Sequence, residues 1–156
     1  MKIVMASDHV GHEMKRALLK YMQGLGHEVV DIGPFGGERA EYPLYGRMAA
    51  DKLARGEFDR AVLVCGTGFG ISLAANSVDG VRCVNCTDVY TTYMSRLHNN
   101  ANAIAFGARV VAAEFAIKLL ETWLATEFEG GRHGERVEML VEMGRLPQAG
   151  TYEVGL

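Results

Sequence analysis

The sequence predicts an α/β fold in which a doubly wound, five-stranded parallel sheet carries helices on both faces within a single domain. The first observation behind this is that short, β-rich apolar runs alternate with longer amphipathic segments along the chain. The second is that several of these runs, such as AVLVC at 61–65, are apolar on successive residues. Continuous apolarity is typical of strands that are buried on both faces of a parallel sheet.

The same patterns predict the order of the elements. The predicted strands are 2–6, 27–32, 60–65, 81–85 and 102–106, and the predicted helices are 11–24, 42–55, 70–77, 87–97, 109–126 and 134–143. The helical period is clearest in 109–126, where apolar residues recur every four positions and would share one face. These residues are Val111, Phe115, Leu119 and Trp123. We expect 1–146 to form the domain and 147–156 to be a C-terminal tail without periodicity.

Length and charge limit the class of protein. The chain has 156 residues, which is one domain on the usual length prior and enough to fold without a disulfide or metal. Asp and Glu number 19 against 16 Lys and Arg, which gives a formal charge of -3 and a pI near 5.9. That balance argues against a general nucleic-acid binder, whose affinity depends on a basic surplus.

The cysteines and the apolar segments indicate the compartment. Three cysteines are an odd number and too few for a secreted disulfide framework, so a reducing cytosol is expected. The N-terminal apolar run ends at Ser7, which is too early for a signal peptide. The uncharged stretch 61–78 approaches membrane-spanning length, but glycines and polar residues interrupt it. We therefore expect a soluble, cytoplasmic protein with no membrane partner.

A glycine-rich turn, CGTGFGIS at 65–72, follows the third predicted strand and opens a helix. Glycine lets the backbone approach a ligand closely, and free N–H groups at a helix N-terminus attract an anion, either a phosphate or a transient oxyanion. A dinucleotide fingerprint requires GxGxxG on the first strand, whereas here Ile71 follows Gly70 and the strand is the third. The sequence also lacks the ATP-binding pattern GxxxxGK followed by Ser or Thr. A turn that merely packs remains the alternative.

Cys65 ends the third strand and opens this turn. A buried cysteine is usually inert, but a helix N-terminus stabilises a thiolate, which favours a base or a nucleophile. The other two thiols lie in CVNC at 83–86. A lone CxxC of this kind gives only weak evidence for zinc or redox function.

Polar residues at the strand ends are further candidates, because we expect the architecture to gather those ends into one crevice. The first strand ends in SDH at 7–9, and HNN at 98–100 precedes the fifth strand. Acid–base chemistry suits His98, because histidine titrates near neutrality.

Two groupings leave more than one interpretation open. The possible metal ligands are Asp8, His9, His12 and His98. Only the three-residue spacing of the first two histidines supports a metal, and none is predicted. Arg132 and Arg136 stand four residues apart and would face the same way on a helix, as either a solvated surface or a clamp for phosphate.

Taken together, these residues resemble the type B ribose-5-phosphate isomerases, the family that also includes galactose-6-phosphate isomerase subunits. The motifs that carry the resemblance are SDHVG at 7–11, EYP at 41–43, CGTGFGISLAAN at 65–76, RLHNNANAIAFGARVV at 96–111 and EGGRHGERVEML at 129–140. The likeness runs from residue 2 to about 143, nearly the whole chain. It implies a Rossmann-like fold, a homodimer or dimer of dimers, and no metal or nucleotide cofactor.

The resemblance implies an aldose–ketose isomerase that interconverts ribose 5-phosphate and ribulose 5-phosphate through an enediolate. Cys65 would be the base that moves the proton between C2 and C1, and Thr67 would help to pass the proton on. His98 would open the sugar ring, with Asp8 nearby to assist. Alternatives are an isomerase of a tetrose, allose or galactose phosphate and, from another class, a nucleotide-binding module.

The resemblance also assigns binding roles. The backbone of the turn would hold the enediolate, four basic residues would bind the phosphate, and Asn99 and Tyr42 would contact the sugar. The implied substrate-binding residues are Asp8, His9, Tyr42, Gly66, Gly68, Phe69, Gly70, Asn99, Arg109, Arg132 and Arg136. Of these, Asn99 and Arg109, together with His98, would reach the Cys65 turn of a neighbouring subunit, so that active sites are shared.

Two positions depart from the family pattern. Glu41 stands where the family commonly has Asp before Tyr-Pro. Phe69 stands inside the glycine turn, where the family usually has a small aliphatic residue. A phenylalanine there could crowd the pocket and alter the preference among sugars.

Overall fold

The computed structural model describes residues 1–36 and 38–145. Its strands are β1 (Lys2–Ser7), β2 (Glu28–Asp31), β3 (Arg60–Cys65), β4 (Cys83–Asn85) and β5 (Ala103–Gly107). Its helices are α1 (His12–Gly24), α2 (Tyr42–Ala54), α3 (Phe69–Asn76), α4 (Val89–Leu97), α5 (Ala113–Ala125) and α6 (Arg132–Arg145). Each predicted strand and helix overlaps one of these elements, and the predicted tail from 147 lies outside the described residues.

The five strands pair in parallel in the order β2-β1-β3-β5-β4, which confirms the predicted doubly wound sheet. The strand order reverses between β1 and β3. From β1 the chain continues to β2 on one side, and from β3 it continues to β4 and β5 on the other. The crevice at this switch point therefore opens beside Ser7 and Cys65, where β1 and β3 end.

Each face of the sheet buries its own apolar layer, because successive strand residues point to opposite faces. The layer beneath α1 and α5 is built from bulky strand residues, namely Ile3, Met5, Val62, Val64, Ile104 and Phe106. The layer beneath α2 and α3 contains many alanines, including Ala6, Ala61, Ala103 and Ala105. The small side chains fit a close approach of α2 and α3, since a Cβ at Gly46 would lie 2.8 Å from the carbonyl oxygen of Ile71.

Helix α5 differs from its prediction at the amino end. It begins at Ala113 instead of 109, because the N–H groups of Val110 and Val111 both donate to the Gly107 carbonyl and form a turn. Phe115 stays 40% exposed. A spacing of four residues advances about 40° beyond a full turn, so a strict four-residue repeat drifts off the buried face. That face carries Ala116, Leu119, Leu120 and Trp123.

Helix α6 begins at Arg132, two residues before its predicted start at 134. It follows directly on Gly130 and Gly131, both of which have positive φ. Among the helices of the described residues, none has the length and apolar character needed to cross a membrane.

A buried ion pair joins α1 to the segment that follows β2. Lys15 is fully buried, and its Nζ lies 2.7 Å from Asp31 Oδ1 and 2.7 Å from the carbonyl oxygen of Pro34. Asp31 Oδ1 also accepts the Gly33 N–H at 2.8 Å. The pair therefore holds the start of the loop that leads to α2.

We expect Lys15→Met to lower the free energy of unfolding by about 3 kcal/mol, because the largely buried Asp31 carboxylate then loses its cation. Urea denaturation followed by circular dichroism measures the change. Lys20→Met, at an exposed position of the same helix, is the control and should change stability by less than about 0.5 kcal/mol. Equal stabilities of the two variants would show that the buried pair contributes nothing.

Candidate active site

The turn after β3 directs the Cys65 sulfur toward the backbone of the turn. Cys65 is only 3% exposed, and its Sγ accepts the Gly68 N–H at 3.1 Å. Gly68 has a φ of 81°, a left-handed conformation that favours glycine. It is the residue that precedes α3, so the sulfur stands at the amino end of that helix.

The same turn offers backbone N–H groups to a ligand. In the described part of the chain, the N–H groups of Gly66, Thr67 and Gly70 donate to no protein acceptor. They lie at the amino end of α3, where the helix dipole also favours negative charge. The turn can therefore hold an anion of the size of an oxyanion or a phosphate.

The glycines of the turn are also required by close packing. A Cβ on Gly70 would lie 2.5 Å from Cε2 of Tyr42, and a Cβ on Gly68 would overlap the side-chain amide of Asn85. The two roles that the sequence left open, packing and access for a ligand, therefore both apply to this turn.

Asn85 was not among the residues predicted from the sequence. It ends the edge strand β4, and its Nδ2 donates to the carbonyl oxygen of Thr67 at 3.1 Å. Among the described residues, its buried Oδ1 has no hydrogen-bond partner. The one signal in the sequence is a polar residue inside an apolar strand.

Three further predicted residues surround the turn. Asp8 is buried; its Oδ1 accepts the Gly11 N–H at 2.8 Å, and its own N–H donates to the Val64 carbonyl. His9 is exposed, with its Nδ1 3.3 Å from the Ala40 backbone nitrogen. Tyr42 opens α2, where its ring covers Gly70.

Arg109 also lies at this turn in its own chain. Its N–H donates to the Gly66 carbonyl at 3.0 Å, and its Nη1 is 3.9 Å from the position that a Cβ on Gly66 would take. The sequence predicts a helix that begins at Arg109, but in the structure this residue lies in the turn between β5 and α5. The guanidinium therefore stands beside the free N–H groups without help from a neighbouring subunit.

His98 and Asn99 occupy a different part of the fold. His98 follows α4, and its ring stacks on that of His133 with centroids 3.9 Å apart and planes 6° apart. Glu129 Oε2 lies 3.7 Å from His98 Nε2 and 3.5 Å from His133 Nε2. Arg132 Nε donates to His133 Nε2 at 3.4 Å.

The expectation that one crevice gathers all these strand ends is wrong for His98 and Asn99. They precede β5 and so lie at the amino edge of the sheet, whereas Cys65 lies at the carboxyl edge. The register pairs Ala61 with Ala103 and Cys65 with Gly107, so the edges are about 13 Å apart along the strands. In the described residues, no hydrogen bond or ion pair joins the Cys65 turn to His98.

Two arginines hold the turn that carries His98 and Asn99. Arg96, which is almost fully buried, donates from Nη1 to Asn100 Oδ1 and to the Ala101 carbonyl. Arg82 donates from Nε to the Asn100 carbonyl at 3.1 Å. Burial, with the nearby charges of Arg60 and Arg82, lowers the pKa of Arg96 to about 10, so it remains charged near neutral pH.

His133 and Glu129 were also not among the site residues predicted from the sequence. Burial lowers the pKa of His133, and the neighbouring charges of His98, Arg132 and Arg136 lower it further. Because its Nε2 accepts from Arg132, the neutral ring carries its proton on Nδ1.

The possible metal ligands divide in the same way. His9 lies at the carboxyl edge, whereas His98 lies with Glu129 and His133, whose ligand atoms are within 4.8 Å of one another. Zinc binds imidazole nitrogen in the plane of the ring. Two rings stacked in parallel direct their lone pairs side by side, so this geometry does not suit one shared ion.

The remaining thiols are structural. Cys83 packs in the apolar layer beneath α2 and α3, whereas Cys86 packs in the opposite layer. Burial raises the pKa of both thiols. The two cysteines are therefore neutral and face away from each other, which does not support a zinc or redox function for CVNC.

The chain is similar to known sugar-phosphate isomerases. It is 44% identical to ribose-5-phosphate isomerase B of Escherichia coli, over 89% of this chain and 93% of that protein. It is 43% identical to D-erythrulose-4-phosphate isomerase 2 of Mycolicibacterium smegmatis, over 83% of this chain and 87% of that protein.

A solved structure supports the same relationship. Ribose-5-phosphate isomerase B of Clostridium thermocellum superposes with a TM-score of 0.90 at 45% identity, covering 92% of this chain and 97% of the other. Residues 3–140 match the protein family described as Ribose/Galactose Isomerase. The chain therefore belongs to the ribose/galactose isomerase family.

Proposed function

We propose that this chain is an aldose–ketose isomerase that interconverts ribose 5-phosphate and ribulose 5-phosphate in the pentose phosphate metabolism of the cytoplasm. The observation that carries the proposal is the Cys65 sulfur beside a row of free backbone N–H groups. The names of the Escherichia coli and Clostridium thermocellum relatives support a phosphorylated pentose as the substrate. The mechanism uses no metal or nucleotide cofactor.

The reaction moves one proton between neighbouring carbons. The Cys65 thiolate takes the proton from C2 of the open-chain aldose, and the C2–H electron pair forms a double bond between C1 and C2. Negative charge moves to O1, and the Thr67 hydroxyl relays the O2 proton to O1. Return of the first proton from Cys65 to C1 then gives the ketose.

Electrostatic stabilisation comes from the turn itself. The N–H groups of Gly66 and Gly70 are placed to donate to the oxygen on which charge develops. A donor of this kind typically contributes about a hundredfold to a thousandfold in rate. The exposed guanidinium of Arg109 stands beside the same turn, where it can hold the phosphate together with His9.

The second group of residues supplies the remaining roles. His98 opens the sugar ring, Asn99 contacts the sugar, and Arg132 and Arg136 bind the phosphate. Because these residues belong to the amino edge of the sheet, they meet a Cys65 turn only when that turn comes from another chain. We therefore propose a homodimer, or a dimer of such dimers, with active sites shared between chains.

Exposed apolar side chains near the turn support this assembly. They include Leu44 and Met48 on α2 and Phe69 and Leu73 on α3, two helices that pack against each other. Apolar side chains grouped on one part of a surface are typical of subunit interfaces.

A tetrose phosphate is the second candidate substrate. The Mycolicibacterium smegmatis relative, which is almost as similar as the Escherichia coli one, is named for erythrulose 4-phosphate. Phe69 is 65% exposed at the start of α3 and extends from the glycine turn. A large side chain there favours a shorter sugar.

Initial rates with four-, five- and six-carbon sugar phosphates test the proposal. We expect the highest kcat/KM with ribose 5-phosphate and a loss of at least about a hundredfold in kcat for Cys65→Ala, because the base is removed. Cys83→Ala, which removes a buried thiol outside the turn, should retain wild-type kcat. Turnover by Cys65→Ala at the wild-type rate would remove this residue from the mechanism. If the wild-type protein has no isomerase activity but binds a nucleotide tightly, the nucleotide-binding alternative is favoured.

Gly68→Ala should lower kcat by at least about a hundredfold. The new Cβ must occupy a left-handed conformation and the position of the Asn85 amide, so the peptide group that donates to Cys65 shifts. Gly24→Ala is the control, because nothing lies within 4 Å of its Cβ. If both variants keep wild-type kcat with ribose 5-phosphate, the geometry of the turn is not required for turnover.

Mixed dimers test whether the site is shared. Cys65→Ala and His98→Ala chains should each be inactive alone, since each lacks one half of every site. After mixing and re-annealing, about half the dimers are mixed and each has one intact site, so roughly a quarter of wild-type activity should return. Native mass spectrometry counts the mixed dimers. Mixed dimers without activity would place the whole site in one chain.

A further inference from the structure

One peptide group connects the side chain of Asn85 to the sulfur of Cys65. The carbonyl oxygen of Thr67 and the N–H of Gly68 belong to the same planar peptide unit. Asn85 Nδ2 donates to that oxygen at 3.1 Å, and the N–H donates to Cys65 Sγ at 3.1 Å. Rotation of this peptide would break both hydrogen bonds at once.

The position of the Asn85 amide is tightly defined. A Cβ on Gly68 would overlap it, and Gly68 itself has a φ of 81°. Flipping the amide would bring Oδ1 against the Thr67 carbonyl oxygen, so the acceptor determines which atom faces the turn. The side chain therefore has one orientation in which its Nδ2 can be satisfied.

Asn85 destabilises the folded state at this position. Its buried Oδ1 has no partner in the part of the chain that the structure describes, and an unsatisfied buried acceptor destabilises the folded state. Leucine is close to asparagine in size and has no polar atom, so it would remove this unsatisfied acceptor. A residue that costs stability but orients the peptide beside the thiol is suited to a role in activity.

We propose that Asn85 is a positioning residue, which holds the peptide group between Thr67 and Gly68 so that its N–H points at Cys65. This inference rests on the proposed role of Cys65 as the base. The aligned N–H fixes the position of the sulfur, and the dipole of the peptide group is strengthened because its carbonyl end is hydrogen-bonded.

If Asn85 serves activity and not stability, replacing it should lower kcat without destabilising the fold, and this can be tested directly. Asn85→Leu removes the donor and the unsatisfied Oδ1 together. We expect its kcat with ribose 5-phosphate to fall about tenfold with KM within about twofold, while its thermal midpoint is equal to or above that of the wild type. Asn85→Asp, which keeps the shape but replaces the donor with a charged acceptor, should lower kcat further.

Asn76→Ala is the matched control. Asn76 also hydrogen-bonds to β4, through the backbone of Cys83 at 2.8 and 2.7 Å, but it does not contact the turn. It should lower the thermal midpoint and leave kcat unchanged. If Asn85→Leu lowers stability and kcat together, or keeps wild-type kcat, the positioning role is overturned.

Alkylation provides a readout that does not depend on isomerase activity. The rate of Cys65 modification by iodoacetamide at one fixed pH, followed by mass spectrometry, should be at least about threefold lower in Asn85→Leu than in the wild type, because the N–H that points at the sulfur no longer assists the reactive thiolate. An unchanged rate would overturn the inference even in an active enzyme. If the wild type converts no sugar phosphate, the proposed function fails, and the alkylation rate alone decides the role of Asn85.

Discussion

The parallel direction of all five strands is the constraint on which the functional organisation depends. It gives the chain one edge made of carboxyl ends, with Cys65, and another made of amino ends, with His98. In a doubly wound sheet, the connection after each strand must return the chain from the carboxyl edge to the amino edge before the next strand begins. The two groups of candidate site residues are therefore separated by the length of a strand.

At the carboxyl edge, close packing and chemistry depend on the same residues. Gly68 is required because the Asn85 amide occupies the place of a side chain, and Gly70 is required because the Tyr42 ring does. In the described part of the chain, the N–H groups of Gly66, Thr67 and Gly70 are left without protein acceptors. Because Asn85 and Tyr42 pack against the turn, its N–H donors need little rearrangement when negative charge develops on a ligand.

Local patterns in the sequence predicted the sheet, its helices and the glycine turn, because the strands are continuously apolar and glycine is required at particular positions. They did not predict which polar side chains meet. Asn85 reaches Thr67 from a strand eighteen residues away, and His133 reaches His98 from a different helix. Pairings of this kind depend on strand order and register, which hydrophobic periodicity does not define. For the same reason, His98 was expected in a crevice that its place before β5 does not allow.

The amino edge is ordered by a different set of contacts from those at the carboxyl edge. There, buried guanidinium groups donate to carbonyl and amide oxygens of the turn after α4, and a neutral His133 ring covers the face of His98. Arg132 and Arg136, which are exposed on α6, add positive charge at this edge that suits a phosphate. In the proposed dimer, each chain contributes two half-sites of complementary chemistry: one donates N–H groups and a thiol, and the other donates an imidazole and guanidinium groups. Two such halves can combine with little loss of conformational freedom, because each is already ordered before they meet.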